Sequence, residues 1–148
     1  MKTMEAVEAY RILGDAKYQK MSDEGKIKVW KITRQLKPVA THYDEERQDA
    51  SQKMMPDEDF MQRLHKAQLY EIQKKEGKET ELSDEEYQKF LKEFTEYDAL
   101  VKKTLQEISE KEIELKYEPL SEDDFGKLMA SNDWDLKQVE KISFVSEE

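Results

Sequence analysis

The stretch YQKFLKEFTEYDALVKKTLQEI, residues 87–108, decides the fold class. Leu91, Phe94, Val101, Leu105 and Ile108 recur at spacings of three, seven, four and three, and Asp98 fills the one seam position without an apolar residue. Phe90, Tyr97 and Leu100 flank that stripe. A period of about 3.5–3.6 residues held this long is an amphipathic α-helix.

Its start is written in the residues just before. Ser83, Asp84, Glu85 and Glu86 form a capping box, in which the Ser83 hydroxyl accepts the amide of Glu86 and the Glu86 carboxylate reaches back to the amide of Ser83. Leu82 and Tyr87 hold the positions of a hydrophobic staple. The same grammar returns at Leu120, Ser121, Glu122, Asp123, Asp124 and Phe125, with Asp124 in place of the box glutamate. A third version, Met55 to Phe60, has Pro56 at the first helical position and acids in the first turn.

Upstream, residues 23–54 read as a second long helix capped by Ser22, with Val29, Ile32, Leu36, Val39, Tyr43, Ala50 and Met54 on one face. Pro38 lies inside it, removes one backbone bond and predicts a kink or a split. Residues 57–75 form a third helix, and Gly77 takes its C′ position. A short helix over 4–13 is capped by Thr3 and stopped by Gly14. Downstream the period changes: Ile113, Leu115 and Tyr117 alternate with Glu114, Lys116 and Glu118, the mark of a half-buried strand. No second strand is evident to pair with it. The apolar tail from Phe125 to Val145 reads as short helical turns.

The expected architecture is mainly α: an elongated antiparallel helical hairpin or bundle, one short β-strand near 113–117 and a compact C-terminal helical tail. Residues 1–148 are read as one domain, with a short N-terminal helix region (1–22), long helices (23–111) and a strand plus short helices (112–148).

Composition narrows the function classes. Of 148 residues, 41% are charged and 36% hydrophobic, and 35 acids against 25 Lys or Arg give a net charge of −10. Disordered chains share that bias, but seven Tyr, five Phe and two Trp, placed periodically, oppose disorder here. Zero cysteines, four glycines and three prolines exclude a disulfide scaffold, a thiolate metal site and a loop-rich β-sandwich. No apolar run approaches the roughly 18 residues of a membrane span, and no apolar signal core precedes the first acids, so a cytoplasmic protein is expected.

The chemistry-bearing residues are sparse. His42 and Glu46 stand four apart, a spacing that suits zinc, but no second histidine shares their helix. The acidic clusters occupy helix first turns, where acids are favoured without a metal. No glycine-rich phosphate loop, nucleophile elbow or His-Glu-x-x-His pair occurs. Catalytic residues, cofactors, metals and a small-molecule substrate are therefore not expected. Two surfaces remain. The unpaired strand and apolar tail offer Ile113, Leu115, Tyr117, Phe125, Trp134 and Phe144 as a protein contact surface, in a homodimer or with another protein. Residues 1–37 carry nine Lys or Arg against five acids, and Lys26, Lys28, Trp30, Lys31, Arg34 and Lys37 gather there as an alternative, nucleic-acid-binding face. The net negative charge opposes that alternative at long range.

The segment from Glu118 to Phe125, with Asn132, Asp133, Trp134, Asp135 and Leu136, is similar to the C-terminal part of small acidic helical proteins encoded by tailed phages and prophages. That group has no established activity. The resemblance implies a phage or prophage origin, and with it an assembly, accessory or host-directed binding role, in the bacterial cytoplasm or on the virion. The expectation is a non-catalytic protein–protein interaction or assembly protein.

Overall fold

In a computed structural model, residues 1–146 are described. They form α1 (Thr3–Gly14), α2 (Asp23–Lys53), α3 (Phe60–Lys75), α4 (Asp84–Ser109), α5 (Glu122–Ala130) and α6 (Leu136–Ile142), followed by a 3-10 turn, Ser143–Val145. The protein is mainly α, with bundle-like helix packing. Two compact units arise: one from Met1–Glu46 with the chain from Glu107 onward, the other from Arg47–Gln106.

The first unit holds the densest core. Ala6, Ala9 and Leu13 of α1 meet Val29, Ile32 and Leu36 of α2, together with Leu120, Leu128, Ile142 and Val145 from the C-terminal segment. The apolar tail is thus core of this unit. Its α2 half is fixed at the start by two residues far apart in sequence. The Ser22 hydroxyl accepts from the Gly25 amide (3.1 Å), as a helix cap does, and donates to the Asp124 carboxylate (2.6 Å), which also accepts from the Ser22 amide (2.9 Å). Asp124 is buried, and these two donors hold its carboxyl below the usual carboxylate range. The carboxylate lies so near the helix that a Cβ on Gly25 would sit 2.6 Å from its Cγ, so only glycine fits there.

In the second unit, α3 packs on α4 through aromatic rings. Phe60 lies 4.7 Å from Tyr97 and 5.7 Å from Phe90 between ring centroids, and Tyr70 stacks on Tyr87 at 4.1 Å. The Tyr70 hydroxyl donates to Asp84 and the Tyr87 hydroxyl to Glu71. Donation to a carboxylate favours the protonated phenol, and Tyr87 is pushed up to about 12. Arg63 forks onto Asp57 at 2.9 and 2.8 Å and also reaches Glu93.

Several sequence expectations change. No strand forms at 113–117; the described residues hold only isolated bridges, Lys2 with Glu112 and Leu120 with Ser146. The segment is extended, and its backbone neighbours are the N-terminus and a side chain. The Ile113 amide donates to the Met1 carbonyl (2.8 Å), and the Gln35 amide group makes a paired contact with Lys116. α2 runs unbroken through Pro38, so the predicted split is absent. The short helix begins at Thr3, which does not cap it: both its amide and its hydroxyl donate to the Lys111 carbonyl. α3 starts at Phe60 rather than 57, because Asp57 turns its carboxylate onto the Asp59 amide and Arg63. The stripe of α4 is present, yet only Phe90 on that helix is buried. The box at Ser83 forms on both sides. At Ser121 the hydroxyl accepts the Asp124 amide, but the Asp124 carboxylate goes to Ser22 and does not reach back. Gly77 takes a positive φ of 71° after α3.

Candidate functional site

The face of α2 opposite its core stripe carries the most distinctive surface. Val29, Ile32 and Leu36 point inward, while Ile27 and Trp30 lie out of phase with them and are 53% and 58% exposed. At 100° per residue, Ile27, Trp30, Lys31, Arg34 and Pro38 fall on one side of the helix. The extended segment at 116–118 runs beside that side, and the space between is an open groove of about 1000 Å³.

Three contacts hold the groove's second wall in place. The Gln35 side chain donates through Nε2 to the Lys116 carbonyl (2.5 Å) and accepts the Lys116 amide on Oε1 (3.0 Å), doing what a neighbouring strand would do. About two helical turns earlier, Lys28 Nζ donates to the Pro119 carbonyl (3.3 Å). Segment 116–119 therefore runs antiparallel to α2. Behind it, the Tyr117 ring meets Phe144 edge-on at 5.8 Å and its hydroxyl donates to the Phe144 carbonyl (2.8 Å).

Charge is unevenly placed in the groove. Glu24 and Lys28 bridge each other at 3.5 Å at one end. Lys31, Arg34 and Lys116 form no ion pair among the described residues, although the chain is rich in acids. The Arg34 guanidinium lies 5.2 Å from the Trp30 ring centroid, a cation–π distance, and Arg34 is exposed. On its far side Trp30 also lines a smaller hollow of about 290 Å³ with Leu13, Tyr18, Lys26 and Thr33.

The two surfaces expected from sequence fare differently. Ile113, Leu115, Tyr117, Phe125, Trp134 and Phe144 are all half-buried and pack against the core of their own unit. The extended segment that carries the first three has no free backbone edge at Lys116, where the Gln35 side chain takes both the carbonyl and the amide. Of the basic set, Lys28, Trp30, Lys31 and Arg34 share the groove, but Lys26 lies in the hollow behind Trp30 and Lys37 lines neither. Ile27, Gln35 and Lys116 belong to the groove without having been singled out. Ile27 was detectable as an apolar residue off the 29–32–36 stripe; Lys116 lies too far along the chain to be placed by local pattern.

Elsewhere, His42 meets Glu46 at 3.4 Å on an exposed helix face. Among the described residues no group of three or more His, Asp or Glu converges as a metal site would require, and no helix is long and apolar enough to cross a membrane. No protein-family model matches the chain, and neither a curated protein nor a solved structure matches it.

Proposed function

We propose that the protein is a non-catalytic protein–protein interaction or assembly protein and that the α2 groove is its contact surface. One observation carries the reading: Ile27 and Trp30, two large apolar side chains on a helix whose other face is fully packed, are both more than half exposed beside a groove. Exposed Trp flanked by Arg is the composition of an interface centre, where rigid aromatic anchors dominate binding. The groove replaces the tail surface expected from sequence, since the tail's aromatics are used in the core. A phage or prophage origin, supported by the tail resemblance alone, makes the partner a virion or host protein.

Nucleic-acid binding is the second reading, favoured by Lys31 and Arg34 around Trp30. It is weaker because the six-residue basic face does not hold together as one surface. The test compares the wild-type chain with Trp30→Ser purified from the cells that make it. A stoichiometric protein companion lost in the variant, with unchanged circular dichroism, supports the proposal. A companion retained by Trp30→Ser, no protein companion at all, or nucleic acid in its place overturns it.

A further inference from the structure

We infer that the groove takes an acidic polypeptide segment bearing a bulky apolar side chain, an inference that rests on the interaction reading above. Charge complementarity carries it. The chain is −10 overall, yet Lys31, Arg34 and Lys116 line one groove and form no ion pair among the described residues, although Glu118 lines it too and Glu24 is taken by Lys28. Cations left unpaired on an acid-rich chain are complementary to an anion supplied from outside. Ile27 and Trp30 add what an anion alone does not use, a surface for an aliphatic or aromatic group.

The two kinds of residue are ordered along the groove. Ile27 and Trp30 lie in the half toward Glu24, Lys31 at the midpoint, and Arg34 and Lys116 toward the Pro38 end. A segment with its apolar residue at one end and its acids at the other fits that order. From position 24 to position 38 the helix rises about 21 Å at ~1.5 Å per residue. An extended peptide covers that distance with about six residues at ~3.3 Å each. Nucleic acid fits less well. Lys26 and Lys37 are rotated roughly 120–140° around α2 from Lys31, so no row of cations tracks a phosphate backbone.

The probe is the synthetic peptide acetyl-Gly-Leu-Phe-Asp-Glu-Asp-Glu-amide, which contains no tryptophan. Trp134→Phe leaves Trp30 as the sole tryptophan of the full chain; if that variant does not fold, the difference between wild type and Trp30→Phe gives the same signal. The expected result is a saturable blue shift of Trp30 emission. Affinity falls by about tenfold or more when Leu and Phe of the peptide become Ser, and again in the exposed-site variant Lys31→Gln with Arg34→Gln, each about 1.4 kcal/mol or more. Raising salt from about 0.05 M to about 0.5 M weakens binding. No saturable change, equal affinity for the Ser peptide, or equal affinity for an oligothymidylate of the same charge overturns the inference. If the peptide fails while a Trp30-dependent protein complex persists, only the partner chemistry is wrong. If both fail, the interaction reading falls with it.

Discussion

Gly25→Ala should destabilise the first unit, although Gly-to-Ala changes inside helices ordinarily stabilise. Gly25 is the third residue of α2, where alanine is favoured by about 1 kcal/mol on propensity alone. Here the new Cβ would meet Asp124 Cγ and Oδ2 at 2.6 Å and Oδ1 at 3.0 Å, about 1 Å inside ordinary contact. The carboxylate has no easy retreat, because the Ser22 amide and hydroxyl grip it at 2.9 and 2.6 Å. Moving it breaks at least one charge-assisted hydrogen bond, worth about 1.5–3 kcal/mol. The difference leaves a net loss of about 0.5–2 kcal/mol. Both tryptophans, Trp30 and Trp134, belong to the first unit, so denaturant unfolding followed by tryptophan emission reads that unit separately from the whole-chain circular dichroism. A double-mutant cycle supplies the control: in an Asp124→Ala background the clash is gone, and Gly25→Ala should turn stabilising by about 0.5–1 kcal/mol. Stabilisation by Gly25→Ala alone, or the same effect in both backgrounds, refutes the reasoning.

Acid unfolding checks the same contact from another side. Asp124 has its carboxyl held below its unfolded value of about 3.9, so its stabilising contribution is complete above that pH and lost as pH falls through the folded value; Asp124→Asn should flatten the acid limb of tryptophan-monitored stability below about pH 4. Leu128→Ala, at a fully buried site of the first unit, should cost about 2–5 kcal/mol, and Leu105→Ala, on the half-buried α4 stripe, about 1 kcal/mol; equal losses in denaturant melts would mean the core is misplaced. Ser83→Ala should lose about 1 kcal/mol and Ser83→Asp should keep most of it, and equal losses from the two would deny the hydroxyl its capping role.

Local grammar was the most legible part of the chain. The caps at Ser22, Ser83 and Ser121 depend on atoms within three residues, and each forms the bond its motif requires. Thr3 failed as a cap because its hydroxyl is claimed by Lys111, a residue 108 positions away. The alternation at Ile113, Leu115 and Tyr117 correctly marked the inward-facing side chains, but alternation reports which side is buried and not what pairs with the backbone. The backbone partners, Met1 and the Gln35 amide, lie 112 and 81 positions away. The α4 stripe decides the fold class by its periodicity, yet periodicity measures amphipathicity and not depth; the deepest residues lie elsewhere, on α1, α2 and the C-terminal segment, such as Leu13, Leu36, Leu120 and Leu128. The groove was half legible. Its helix wall stood out as basic residues around Trp30, whereas membership of each cation followed from helical phase, which separates Lys26 and Lys37 from Lys31. No composition shift marks the two units, because α2 and α4 each contribute residues to both.

That division has a consequence for the order in which the chain matures on the ribosome. The second unit is one continuous run, so every residue it contacts internally has been synthesised once position 106 has emerged. The first unit is split, and Ala6, Leu13, Val29 and Ile32 lack their full set of partners, Leu120, Leu128, Ile142 and Val145, until about a hundred further residues have been added after position 46. At about 5–20 residues per second, that interval lasts roughly 5–20 s. Until then the apolar face of α1 and the first half of α2 lacks its C-terminal partners, the kind of transient exposure for which chaperones exist, and the groove has no second wall before 116–118 are made.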